Sequence, residues 1–306
     1  MAVCQVNLIK YLLLLSPPVS KIAQKLEPQT EAATATDSLE RWLPCIVGAG
    51  AIFVLFYQLG NAALFEPDEG RNAEKARQIL LLGDWVTPHE NFHPVLDKPI
   101  FFYWLIALCY ILFGISEWAA RLPSALAALG CVILVYAFAR IQWGKAQALW
   151  SSLILLTSLE FFLLARLVIF DMALTFLLTL ALCAFYLASQ SDDAKRRRAL
   201  CLLMYASLAA ATLLKGLIGV VLPGMVIIAY LLLTQRWSLL RRLYLVPGAL
   251  IFLAIVLPWY LEMGARHEGY LRYYFWDEHF GRFASDKFGR SQPWYYFIFV
   301  ALIGFF

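Results

Sequence analysis

Short charged segments, set between long apolar runs, hold most of the side chains in this sequence that could do chemistry. The first runs from Phe65 through Glu66, Pro67, Asp68, Glu69, Arg71 and Asn72 to Glu74. Proline suits the first turn of a helix, and acids there face the positive end of its dipole. Asp68, Arg71, Asn72 and Lys75 then share one face by i, i+3, i+4 spacing. An accessible carboxylate on such a face can orient or deprotonate a hydroxyl; a capped, solvated helix would carry the same residues. The second segment is Asp97-Lys98-Pro99, where the lysine either meets an anion or snorkels to lipid headgroups. The third is Arg166 with Asp171, and Glu160 lies more than a turn before it. Acids inside a membrane are costly and mark function by default, whereas an arginine and an aspartate at a helix junction also form a plain salt bridge. The fourth is Lys215-Gly216, a lone cation in a tight turn that suits either a phosphate or a lipid anchor. The fifth, Tyr273 to Phe283, sets Asp277, Glu278 and His279 beside Arg282, a grouping that suits a metal or a phosphate.

The elements that must position these residues follow from composition. Hydrophobic residues make up 62% of the 306 positions and charged residues 15%, against about 45–50% and about 25% in soluble domains. Apolar runs of spanning length occur at 43–62, 122–139, 146–165 (interrupted by Glu160), 172–189, 199–214, 216–235 and 243–261, with another at 293–306. Lipid cannot satisfy backbone groups, so these runs must be helices. The fold class is an all-α polytopic membrane protein: a tail over 1–41, rich in Ser, Thr, Pro, Gln and Glu towards the membrane, then a membrane module over 42–306. The run Asn7–Leu15 is too short to span and lacks a small-residue cleavage site, so it does not read as a signal peptide. The six cysteines lie in the tail or in apolar runs without metal-ligand spacing, and no disulfide or zinc framework is expected. A net charge of +4 calls for no nucleic-acid partner.

Lysine and arginine in short loops mark the cytoplasmic side. They occupy three connections: Arg140 with Lys145, Lys195 to Arg198, and Arg236 with Arg241 and Arg242. Placing these inside sends the loops 63–118 and 262–292 outside and brings the charged segments above to one outer face. The parity holds only if 99–115 does not cross. That stretch carries Phe101, Phe102, Tyr103, Trp104 and Tyr110, and aromatic segments of this kind favour the interface. Seven crossings then precede the second outer loop.

The segments Glu66-Pro-Asp-Glu-Gly-Arg-Asn-Ala-Glu, Gly83-Asp-Trp-Val-Thr-Pro, Asp97-Lys-Pro-Ile-Phe-Phe-Tyr-Trp and Glu117-Trp-Ala-Ala-Arg-Leu-Pro-Ser124 together resemble one superfamily. It comprises the protein O-mannosyltransferases and the bacterial aminoarabinose (lipid A) transferases, of GT-C fold, and the resemblance runs in order from about 42 to 300. It implies an inverting glycosyltransferase that moves a sugar from a polyisoprenyl phosphate to an acceptor outside the cytoplasm: a protein hydroxyl, a lipid A-like lipid or an envelope glycan. It implies Asp68 as catalytic carboxylate with Glu69 beside it. Arg71, Lys98, Arg166, Lys215 and Arg282 would contact the donor phosphate, with Asp171 in support. Asp97 and His279 would hold a divalent metal, although the family usually has Glu at the first. Members usually continue with further helices, so a chain stopping at Phe306 is expected to be truncated. A bacterial-type plasma membrane is the expected location. The alternative from another class, a polyprenyl-lipid transporter or flippase, would place its charges near the midplane rather than in outer loops.

Overall fold

The computed structural model describes residues 36–281 together with 295, 296, 302 and 304, with side chains described between 42 and 277 and at those four. Thr36–Phe56 forms α1 and Asp68–Leu82 forms α2; a two-residue hairpin pairs His89–Glu90 with His93–Pro94. Then come α3 (Phe101–Phe113), α4 (Glu117–Trp143), α5 (Lys145–Thr157), α6 (Leu159–Ala165), α7 (Phe170–Gln190), α8 (Ala194–Lys215) and α9 (Ile218–Thr234). A 3₁₀ turn at Trp237–Arg242 leads into α10 (Leu245–Arg266), and Tyr270–Arg272 continues into a π-helical stretch, Tyr273–Gly281.

By length and apolarity α4, α7, α8 and α10 can each cross a membrane, and α5 with α6 makes a fifth if the pair is one span. The expected seven crossings are therefore only partly matched by long helices. The run at 43–62 is helical only to Phe56, because two arginines take the carbonyls at its end and beyond. Arg166 donates to Val54, Leu55 and Tyr57, and Arg121 to Leu59, Ala62 and Ala63. Backbone carbonyls with such partners no longer need a helix. The run at 146–165 breaks at Ser158, where α5 and α6 are bent by 68°. Ser158 has extended backbone, its hydroxyl donates to the Gly304 carbonyl, and Glu160 falls in the first turn of α6, where the helix dipole favours an acid. The 13 residues of α3 extend about 20 Å, short of the ~30 Å hydrocarbon core, in keeping with an interfacial segment.

Two ends of the bundle can be told apart. Lys215, at the close of α8, meets Asp171, at the start of α7, so these helices run antiparallel. Gly216, with φ of 79°, ends α8, and a methyl group at Gly219 would lie 2.6 Å from the Ala211 carbonyl carbon. Only glycine allows α9 to start that close to α8. At the opposite end Asp193 caps the first turn of α8, and the Cys201 thiol lies 3.9 Å from the Arg242 carbonyl. The largest core cluster joins α2, α3 and the start of α4 to the ends of α7, α8 and α10 nearest Lys215, with Tyr270 and Tyr274. The fold is therefore best packed where the charged segments gather.

Candidate active site

At the centre of this end Glu69 and Arg121 form a buried pair. Glu69, 2% exposed, receives Nε and an Nη of Arg121 at 3.0 and 2.9 Å and the backbone N–H groups of Phe65 and Val168, both at 2.8 Å. Burial alone would raise its pKa; the hydrogen bonds from Arg121, Phe65 and Val168 outweigh it and hold the carboxyl below its usual range. Arg121 uses all five guanidinium N–H groups, two on Glu69 and three on the carbonyls of Leu59, Ala62 and Ala63. Asn72, one helical turn after Glu69, donates to the Val168 carbonyl at 2.8 Å. The first turn of α2 thus grips both backbone groups of Val168.

Asp68 precedes Glu69 and points elsewhere, since successive helical residues are about 100° apart. It is exposed, and among the described residues its carboxylate has no hydrogen-bond partner. A rigid turn therefore presents one open carboxylate. Asp171, three residues after the gripped Val168, holds Lys215 at 2.6 Å, both side chains being at most a quarter exposed. Arg71 extends from α2 to Glu90 at 2.8 Å and is half exposed. Lys98 is part-buried and donates to the carbonyl of Asp97.

The remaining predicted residues are placed as follows. Arg166 does not stand open to a ligand: its Nη groups bond to the end of α1, and its guanidinium lies 5.5 Å from the Phe162 ring. Glu69, also expected to be catalytic, has both carboxylate oxygens bonded, to Arg121, Phe65 and Val168. Asp97 Oδ1 receives Lys75 Nζ at 3.3 Å. Arg282 and the His279 side chain lie outside the described residues. Among the described residues no three His, Cys, Asp or Glu side chains group as metal ligands; Asp97 offers one partly exposed carboxylate.

Sequence reasoning missed three participants. Arg121 lies within the Glu117–Ser124 segment used for the resemblance but carries no spacing signal of its own. Lys75 was placed on the face of Asp68, yet it is 3% exposed, between Glu90 (3.5 Å) and Asp97, with its ammonium 5.6 Å from the Tyr103 ring. Glu90 stands in a two-residue strand without any local pattern. A lysine in so apolar a setting needs such partners, and that need was the available signal.

A bundle of spanning helices with a loop helix packed at one end has the GT-C fold, and solved structures bear this out. The chain superposes on ArnT from Cupriavidus metallidurans bound to undecaprenyl phosphate with a TM-score of 0.82 at 34% identity, covering 89% of this chain and 49% of that one. The apo form gives 0.80 over 88% and 49%. Residues 97–261 match the dolichyl-phosphate-mannose-protein mannosyltransferase family, to which the chain belongs. Undecaprenyl phosphate-alpha-4-amino-4-deoxy-L-arabinose arabinosyl transferases are among its relatives. That of Edwardsiella ictaluri is 31% identical over 258 residues, 83% of this chain and 46% of the relative. One from Pseudomonas aeruginosa is 36% identical over 257 residues, 80% and 45%. The chain spans about half the length of these relatives.

Proposed function

We propose that this chain is the catalytic module of an inverting glycosyltransferase that takes a sugar from a polyisoprenyl phosphate and passes it to an acceptor. The observation that carries the reading is Asp68, open on a turn that Glu69, Asn72 and Arg121 hold rigid. The names of its relatives make an undecaprenyl phosphate-linked 4-amino-4-deoxy-L-arabinose the first donor to test, and a lipid A-like lipid the first acceptor. Asp68 orients or deprotonates the acceptor oxygen, a positioned base contributing ~10²–10⁴-fold. The acceptor attacks the anomeric carbon in line as the C–O bond to the lipid phosphate breaks. Lys215, Lys98 and Arg71 offset the charge gathering on that phosphate. Asp171 fixes Lys215, while Arg166 shapes the wall by closing α1. Asp97, with His279, would hold a divalent cation that assists the leaving phosphate.

The site end lies opposite Lys195–Arg198 and Arg236–Arg242, and basic loops belong inside. The proposed site therefore faces out of the cytoplasm. The test is the full chain reconstituted with sugar-lipid donor, following undecaprenyl phosphate release with and without lipid A. Release only when acceptor is present supports transfer. Donor movement between leaflets without release would favour the flippase reading.

A further inference from the structure

At the end of the bundle remote from the site, two segments bring seven cations together without anions to balance them. Lys195–Arg198 open α8, and Arg236, Arg241 and Arg242 flank and close the 3₁₀ turn. The two segments are packed on each other. Cys201, Leu239 and Leu243 share one buried cluster, with Leu200 and Leu240 against it, and the Cys201 thiol reaches the Arg242 carbonyl. Arg197 and Arg198 lie four and three residues before Cys201, hence on the same helical face, directly above that junction. Among the described residues none of the seven makes an ion pair. The two acids nearby, Asp192 and Asp193, are outnumbered and form no ion pair with them, and Asp193 is turned back onto the Lys195 backbone N–H. Arg197 has one Nη on the Ser191 carbonyl, but its Nε is enclosed with no acceptor among the described residues. A guanidinium donor left unmet costs free energy that an anionic oxygen beside it would recover.

The surroundings decide which anion. Leu233, Trp237, Leu245 and Val246 are 77, 44, 51 and 72% exposed at the same level, where α9 ends and α10 begins. A tryptophan and bare aliphatic side chains at a helix boundary face headgroups and the first carbons of acyl chains. Phosphate above acyl chain is the chemistry of a lipid, not of a soluble anion. We propose that the junction between the start of α8 and the 3₁₀ turn is a binding site for the headgroup of an anionic phospholipid, with Arg197, Arg198, Arg241 and Arg242 around the phosphate and Trp237 against the glycerol and chains. The site is distinct from the transfer site. The length of α8, 22 residues or about 33 Å, separates them, and the proposal stands whether or not the transfer reading does.

The experiment titrates fluorescent phosphatidylglycerol into phosphatidylcholine nanodiscs holding the full chain. Saturable binding is expected. Each arginine that meets the headgroup itself is expected to contribute about fivefold, the scale of one basic residue at a charged lipid surface, so R198Q/R241Q should weaken binding at least tenfold, and R198K/R241K should retain most of it. The control is R140Q/K145Q, which removes two cations from another connection at this same end and should change binding less than twofold. Inorganic phosphate at 10 mM should not displace the probe. Non-saturable binding, or equal losses in R140Q/K145Q and R198Q/R241Q, would reduce the site to diffuse surface charge and overturn the proposal; displacement by phosphate would overturn the lipid assignment. If R198Q/R241Q does not fold, R198Q and R241Q are measured singly, each expected to lose about fivefold.

Discussion

Replacing Arg121 by leucine would leave the Glu69 carboxylate, 2% exposed, without its cation and the carbonyls of Leu59, Ala62 and Ala63 without donors. Breaking one side of a buried ion pair costs about 3–5 kcal/mol, a large share of the ~5–15 kcal/mol that typically separates folded from unfolded protein. For a chain of this size each kcal/mol shifts Tm by roughly 2–4 °C, so a fall of about 10 °C is expected. The pH dependence is a sharper mark. In the native protein the Glu69 pKa is held below its unfolded value; its contribution is therefore present above about pH 4.5 and is lost as pH falls through the folded pKa. In Arg121→Leu the carboxyl loses the hydrogen bonds and charge of Arg121 and keeps only those of Phe65 and Val168 against its burial, so its pKa rises relative to the parent and acidification should destabilise the variant less than the parent. Arg121→Lys keeps the charge but has three donors for five acceptors, and should fall between. Thermal unfolding in lipid nanodiscs between pH 4 and 7 measures all three. A Tm loss of 2 °C or less in Arg121→Leu, or parallel pH curves for parent and variant, would refute the reasoning.

Three further expectations concern the site. Asp68→Asn should lower kcat by roughly 10²-fold or more with Tm unchanged, measured as sugar transfer from purified lipid donor; turnover within a few-fold of the parent would remove Asp68 from the mechanism. Lys215→Ala and Asp171→Asn should each weaken transfer, and the double variant should lose less than the summed free energies, because the two groups form one 2.6 Å pair. Lys75→Met leaves Glu90 and Asp97 facing each other without their shared cation; a Tm loss comparable to that of Arg121→Leu is expected, with Lys75→Arg partly restoring it.

Hydropathy sufficed for α4, α7, α8 and α10 because each is long and apolar enough to cross a membrane. It failed at α1 and at Ser158, where the decisive partners are far along the chain. Arg121 takes the Leu59 carbonyl across 62 residues, and Gly304 meets Ser158 across 146. Asp68 was legible as an acid on a capped first turn. Glu69 was set beside Asp68 by the resemblance, and nothing local reveals that its oxygens are taken by Arg121, Phe65 and Val168. Arg166 was expected from the resemblance to contact a phosphate, and nothing local reveals that the carbonyls of Val54, Leu55 and Tyr57 at the end of α1 lie beside it. The Lys215–Asp171 pair was not legible: sequence reasoning set Asp171 with the nearby Arg166 and left Lys215 as a lone cation, whereas the antiparallel packing of α7 and α8 brings Lys215 to Asp171.

The grip of α2 on Val168 uses the main chain only: Glu69 takes its N–H, and Asn72 gives to its carbonyl. Any non-proline residue at 168 offers the same two groups, so no change there could compensate a change at 69 or 72. The tie between the turn that carries Asp68 and the loop leading to Asp171 would therefore leave no trace in co-varying pairs that include position 168, however large the set of related sequences. Its history would be written only at 69, 72 and 121.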